Sequence, residues 1–300
     1  MHDGNGNHRP TNSNGATRAG EAAAAAPDEK RRTPWALVVV AVLFVVVPFL
    51  TWYGTSFWRT LSDAQVDEYL SDTSQQRRVQ HALEEIDRRI VKGDEGARRW
   101  YPRVVQISND PATDLRMAAA WVMGDDNTSE DFHAALRRLL DDDEPAVRRM
   151  AALSLTRFDD ARSRAELVSM LGDYSVKAGV SGKVLTILPV GSAVSRQAMI
   201  ARLRDDAGQT RELRAPVSGG VEKVSVAEGA SVSPTDELVV LSPDADNALQ
   251  ALRALFVVGT TDDLPEIERY AGGVAGMPPD VQKQAALTSE EIKRRASQSR

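Results

Sequence analysis

The sequence predicts a multidomain α plus β chain: a single transmembrane helix, an α-solenoid of stacked helix pairs, a small all-β domain and C-terminal helices. Three observations predict it. No charged residue occurs from Thr33 to Trp58, and most of that run is apolar. Downstream, apolar residues recur at helical spacing, and helices repeat at an offset of 32 residues. From Ala178 the pattern changes to short valine-rich strands punctuated by glycine, themselves repeated at an offset of 37. The expected segments are a disordered cytoplasmic tail (1–33), the span (34–54), a juxtamembrane linker with a short helix (55–74), helical repeats (75–173), the β-domain (174–243) and C-terminal helices (244–300).

Composition narrows the function before any motif is read. The 300 residues carry 43 acidic and 37 basic side chains, a formal charge of −6, which supplies no basic footprint for nucleic acid. There is no cysteine, so disulfides, thiolate nucleophiles, thiol-bound zinc and iron–sulfur clusters are excluded. Of four histidines, His2 and His8 fall in the Gly-, Asn- and Ala-rich tail.

The uncharged run PWALVVVAVLFVVVPFLTWYG, Pro34 to Gly54, is long enough to cross a hydrocarbon core about 30 Å thick. Trp35 at one end, and Trp52 with Tyr53 at the other, sit where an aromatic belt belongs; Pro48 is tolerable in a membrane helix. A cleavable signal is disfavoured, because the lead is long and TWYGTSFW holds no small-residue cleavage site. Lys30, Arg31 and Arg32 precede the run, and Asp63, Asp67, Glu68 and Asp72 follow it. The positive-inside rule then predicts a single-pass protein of a bacterial inner membrane, N-terminus cytoplasmic and the rest periplasmic.

Ser62 and Gln65 form a capping-box pattern that opens a brief helix through Leu70. Val79, Leu83, Ile86 and Ile90 line one face of the next helix, which ends at Gly93. DPATDLRMAAAWVMG (Asp110 to Gly124) aligns with DDEPAVRRMAALSLT (Asp142 to Thr156). Leu115 matches Val147, Arg116 matches Arg148, Ala119 and Ala120 match Ala151 and Ala152, and Met123 matches Leu155. Each is followed by a second helix, SEDFHAALRRLL and ARSRAELVSML. Paired helices at this period bury their apolar faces only against neighbours. The run LLDDDEPAVRRMAALSLTRF resembles a HEAT repeat: an acidic turn, a proline, then Val-Arg and a small-residue stripe. The resemblance covers roughly residues 75–172 and implies a scaffold or binding surface. Some helical-repeat proteins act as lyases on bilin chromophores, but no motif here points that way.

In the β-domain, Val180, Ser181, Gly182, Val184 and Ile187 match Val217, Ser218, Gly219, Val221 and Val224. After one extra residue, Gly191, Val194, Ser195, Ile200 and Leu203 match Gly229, Val232, Ser233, Leu238 and Leu241. Two halves, each too small to fold alone, are expected to interlock around one core. APVSGGV (Ala215 to Val221) and EGASVSPTDELVVL resemble the barrel-sandwich hybrid of biotinyl/lipoyl carriers, also found in periplasmic adaptor (membrane-fusion) proteins; Thr235-Asp236 replaces a glycine of that pattern. Carriers present a lysine on the hairpin joining the halves. Here that hairpin, RDDAGQTRE (Arg204 to Glu212), has none, and Lys177, Lys183 and Lys223 lie elsewhere, so neither biotin nor lipoate is expected. Adaptor relatives insert a long helical hairpin where this chain has a short turn.

NALQALRALFVVG (Asn247 to Gly259) resembles the earlier DLRMAAAWVMG and, with DLPEIERYAGG, reads as one more helix pair; TSEEIKRRA adds a capping box of Thr288 and Glu291. Chemistry is sparse. His81 and His133 are isolated, and no H-x-H follows, so a lysostaphin-type metallo-endopeptidase is excluded. Asp141 to Glu144 and Asp125 to Ser129 read as turns and caps rather than calcium loops. VSGGVEK lacks a nucleotide-binding form, and Ser181 and Ser218 lack a base partner. No catalytic, cofactor-binding or metal residue is expected. Trp100, Tyr101 and Trp121 are expected in the solenoid core, Trp100 with a second reading as a contact surface, and Arg148-Arg149 is expected to salt-bridge neighbouring turns; Trp100, Arg148, Arg149, Asp205, Asp206 and Gln209 are the candidate interaction surface. The expected function is a non-enzymatic scaffold docking a membrane complex through its repeats and an unmodified barrel-sandwich. The alternative is an adaptor-like component of an export assembly.

Overall fold

Helix α1 (Asp63–Ser71) starts at the expected capping box: the Gln65 amide donates to Ser62 Oγ at 3.4 Å, and Gln65 Oε1 accepts from the Ser62 amide at 3.0 Å. The structure, a computed structural model, describes residues 60–298 together with Phe44 and Val46. Contacts divide the chain after Arg59, and residues 60–298 belong to one unit. Within the segment 55–74, expected as a linker with a short helix, α1 buries Val66 and Leu70 in the helical core.

Helix α2 (Gln76–Val91) buries Val79, Ala82, Leu83 and Ile86, the face that the periodicity predicts. A 3₁₀ turn leads into α3 (Tyr101–Ile107), followed by α4 (Thr113–Met123), α5 (Glu130–Leu139), α6 (Pro145–Leu155) and α7 (Arg164–Ser169). Helices α2, α4 and α6 pack side by side as one row, and α3 packs on α5 in a second. The 32-residue offset has a bonding counterpart. Arg116 Nη1 donates to the carbonyls of Asp110 and Pro111, both at 3.0 Å, and Arg148 Nη1 does the same to Asp142 (2.7 Å) and Asp143 (3.1 Å). Each arginine thus staples its helix to the turn that precedes it. Arg116 also grips Asp142 of the next turn with two bonds, 2.7 and 2.9 Å, joining successive repeats.

The β-domain holds eight strands: β1 (Tyr174–Lys177), β2 (Gly182–Ile187), β3 (Ala193–Val194), β4 (Met199–Asp205), β5 (Thr210–Arg214), β6 (Gly219–Val224), β7 (Ser231–Val232) and β8 (Glu237–Pro243). They form two antiparallel sheets, ordered β1-β8-β6-β3 and β5-β4-β2-β7, around one core that includes Val184, Leu203, Val221, Leu238 and Leu241. The halves β1–β4 and β5–β8 exchange their short strands: β3 pairs with β6, and β7 with β2. Neither half completes its own sheet. Equivalent glycines stand at the crossings. Gly182 opposes Asp205, Gly219 opposes Pro243, and a Cβ at either would lie 2.2 Å from a backbone oxygen of the facing strand.

The helices resume with α8 (Ala245–Val258), α9 (Leu264–Ala271) and α10 (Pro279–Gln298). Leu167, Met170 and Leu171, before the strands, share one core with Leu252, Leu255, Ile267 and Tyr270, after them. The Tyr270 hydroxyl donates to Leu171 O at 2.7 Å, and Arg164 clamps Asp263 at 2.9 and 3.1 Å. The β-domain is therefore an insertion between α7 and α8, and the pairing of β1 with β8 brings its two ends together.

Two expectations need correction. Thr288 does not cap a new helix: it lies inside α10, buried, with its hydroxyl donating to Leu252 O at 2.9 Å. No glycine or proline interrupts that helix, so nothing ends one segment and starts another. The second concerns the membrane. The expected span at 34–54, with Trp35, Pro48, Trp52 and Tyr53, and the topology signal Lys30, Arg31 and Arg32 lie outside the described residues apart from Phe44 and Val46. Among the described residues no helix is long and apolar enough to cross a membrane. Even the 20-residue α10 is studded with Lys283, Glu290, Lys293, Arg294 and Arg295. A fold class containing a transmembrane helix, and a single-pass inner-membrane location, are thus corrected to mixed α and β: helical repeats with two small antiparallel sheets.

Candidate interaction surface

The row α2, α4, α6 and α8 turns one face away from the core. On α2 that face carries Gln80, Glu84 and Asp87, spaced four and three residues apart. Together with Ala118, Trp121 and Val122 of α4 they line a pocket of about 440 Å³. A second pocket, about 370 Å³, adjoins it through Trp121 and includes Asp125, Met150, Leu153, Ser154 and Arg157, then Gln250, Arg253 and Ala254 of α8. The lining follows the repeat. Positions 118, 121 and 122 recur as 150, 153 and 154 at the 32-residue offset, and 250, 253 and 254 show the same i, i+3, i+4 spacing.

Trp121 is the centre of this face, with 52% of its surface exposed. Asp87 lines the same pocket beside it. Burial raises the Asp87 pKa against the lowering influence of the Trp121 indole and of the charges on Arg157 and Arg88, and Asp87 Oδ1 is itself buried without a hydrogen-bond partner. Arg157 is occupied by an ion pair with Asp125, and its carbonyl accepts from Asn127 at 2.9 Å. Glu84 and Arg253, both exposed, make no ion pair among the described residues. The face is thus acidic at α2, apolar and aromatic at α4 and α6, and cationic at α8.

The predicted surface residues fall elsewhere. Trp100 is 3% exposed: Nε1 donates to Asp67 at 2.6 Å, and the guanidinium groups of Arg99 and Arg89 cover the ring at 4.2 and 4.9 Å. It is a core residue, because its ring is covered and its polar atom is bonded internally. Arg148 is committed to the turn carbonyls and to Glu166 at 3.3 Å. Arg149 is buried over the Tyr174 ring at 5.9 Å, with its pKa lowered by burial, at the root of the β-domain. Asp205, Asp206 and Gln209 lie at the β4–β5 turn. There Asp205 accepts from the Gln209 amide (2.8 Å) and Arg211 (2.9 Å), while Asp206 and Gln209 are exposed. Trp121, expected in the core, is the residue that sequence reasoning missed. Two helical steps of about 100° place it roughly 200° from Ala119, opposite the buried stripe of Leu115, Ala119 and Met123.

His133 is bound internally. Its Nε2 lies 2.8 Å from Asp160 Oδ2, which also accepts from Arg137 Nε at 2.5 Å, and its ring stacks on Phe158. Among the described residues no group of three or more His, Cys, Asp or Glu could hold a metal ion.

A family model for HEAT repeats matches residues 101–179, so the chain contains HEAT repeats. No curated protein matches it. Solved structures similar to the chain include the following two. The complex of CpcE and CpcF of phycocyanin lyase from Nostoc sp. PCC7120 is 17% identical, over 79% of this chain and 67% of that one, with a TM-score of 0.43. A single-chain, multi-domain long-chain acyl-CoA carboxylase is 22% identical over 34% of this chain, with a TM-score of 0.24. The match spans only 9% of the carboxylase's length.

Proposed function

We propose that the protein is a non-enzymatic interaction scaffold that docks a protein partner on the Trp121 face of its HEAT repeats. The observation that carries this reading is the large exposed indole at the centre of a face whose lining positions recur from repeat to repeat. An aromatic anchor between two shallow pockets is the usual composition of a binding hot spot. A solenoid presents such positions in register because each repeat is stacked on its neighbour. The inserted β-domain supplies a second docking module. Its interlocked halves support the reading as a biotinyl/lipoyl-like barrel-sandwich, and the joining turn, 206–209, has no lysine to modify. That same short turn leaves the export-adaptor alternative without the helical hairpin it needs.

The test is a photo-crosslinking amino acid placed at position 121 in the full chain, compared with one at exposed position 131 on α5. Capture of one defined protein from position 121 alone is the expected result. Equal capture from both positions, or none, rejects this face as the docking surface.

A further inference from the structure

The charges that flank Trp121 define what the face binds. We infer that it takes a partner segment with apolar side chains between a basic end and an acidic end, the basic end lying over α2 and the acidic end over α8. This rests on the scaffold reading and adds the chemistry of the segment.

At the α2 end, Glu84 is exposed and has no ion-pair partner among the described residues, and Asp87 lines the same pocket. The exposed indole stands beside these carboxylates. A Lys or Arg side chain entering here meets negative charge and an aromatic ring together, the combination that favours a cation over a neutral group. In the middle, Trp121, Met150 and Leu153 offer apolar surface, and Arg157 is neutralised by Asp125. At the α8 end Arg253 is exposed and without an ion-pair partner among the described residues. A carboxylate is its complement.

Length fits the same reading. Packed helices lie about 8–10 Å apart, so crossing from α2 to α8 covers about 24–30 Å. At about 3.3 Å per residue that is about seven to nine extended residues. A polyanion such as nucleic acid is excluded at the α2 end by repulsion from Glu84, and a wholly basic segment meets repulsion from Arg253.

The experiment measures anisotropy of three dye-labelled synthetic peptides with the full chain: the bipolar KKSLLLSEE, the basic-ended KKSLLLSAA and the acidic-ended AASLLLSEE. The bipolar peptide binds tightest. Glu84→Lys weakens KKSLLLSAA by about tenfold and leaves AASLLLSEE unchanged, Arg253→Glu does the reverse, and Trp121→Ala weakens all three by at least about tenfold. All three positions are exposed, so the variants keep the fold, which far-UV circular dichroism checks. Absence of binding by every peptide overturns the inference, and so does an equal effect of Glu84→Lys and Arg253→Glu on both one-ended peptides. If the peptides fail while position 121 still crosslinks a defined protein, the charge assignment falls and the docking face stands. If both fail, the scaffold reading falls with it.

Discussion

Alanine at Gly182 or Gly219 tests the internal twofold of the β-domain directly. A Cβ at Gly182 would stand 2.2 Å from Arg204 O, 2.9 Å from its carbonyl carbon and 3.0 Å from Asp205 Cα; at Gly219 it would stand 2.2 Å from Ser242 O and 3.3 Å from the carbon. These are backbone atoms, so no side chain can rotate aside. Relief requires the strands to part by about 1 Å, which strains or breaks the pairing of Gly182 with Asp205 and of Gly219 with Pro243. Overpacking costs about 1–3 kcal/mol and a lost backbone bond about 1 kcal/mol, so each variant should lose about 2–4 kcal/mol. Gly182→Ala should lose the more, having the closer neighbours. For a unit of roughly 240 residues that is a fall in Tm of about 4–16 °C. Gly191 is the control: its φ of +85° strains alanine, but nothing lies within 4 Å of the added carbon, so the loss is about 1 kcal/mol. Thermal and urea melts followed by circular dichroism decide the matter. Losses at 182 and 219 no larger than at 191 would refute the close approach, and a large loss at only one would refute the equivalence of the halves.

Three further outcomes are expected. Burial opposes the Asp160 charge, but the Arg162 amide, Arg137 and His133 outweigh it and bring its pKa to about 2 from an ordinary 3.8. A depressed carboxylate stabilises the fold above its unfolded pKa and loses that effect as pH falls through the folded value. Asp160→Asn should therefore cost about 1–2 kcal/mol at pH 7, with the difference vanishing between about pH 4 and pH 2 in urea melts. Arg116→Ala strands the half-buried Asp142 carboxylate and should cost about 2–4 kcal/mol, against about 1–2 for Arg148→Ala, whose partner Glu166 is held by one long bond; equal losses count against the inter-repeat clamp. Tyr270→Phe leaves Leu171 O still bonded by Arg269 at 2.6 Å and should cost only about 1 kcal/mol. Adding Arg269→Ala orphans that carbonyl, and the pair should lose more than the sum of the singles in a double-mutant cycle.

How much of this was legible in the sequence depends on whether a signal is local or needs a neighbour. Ser62 with Gln65, the helical face of Val79 to Ile90, and the doubled glycine–valine pattern each reside within a few residues, and the strands and helices follow them. The span at 34–54 is equally local, but lies outside the described residues. Thr288 misled because S/T-x-x-E marks a helix start only where the chain is not already helical, and the start here was set earlier, at Pro279. Trp100 has two readings, core and contact surface, and what decides for the core is a distant neighbour: Asp67, 33 residues earlier, takes its N–H. Trp121 was legible on its own helix by wheel angle, but residue type was allowed to outweigh position.

The insertion explains why the Trp121 face runs unbroken although its parts are scattered over the chain. Helix α8 joins the row nearly a hundred residues after α6, yet Ala152 of α6 shares a core with Leu252 and Leu255 of α8. That is possible because the β-domain leaves and returns at one point: Tyr174 pairs with Leu241, so about seventy residues are added without separating α7 from α8. Among the described residues its polar ties to the helices of the row include Arg196 to Asp114 at 2.5 Å and Asn247 to Ser218 at 2.9 Å, and the buried Arg149 lies over Tyr174. All of them avoid the positions that line the pockets around Trp121. The domain is thus carried by the helical array without occupying its face. An anchor on α4 and a cation on α8 belong to one surface because the chain closes the insertion behind them.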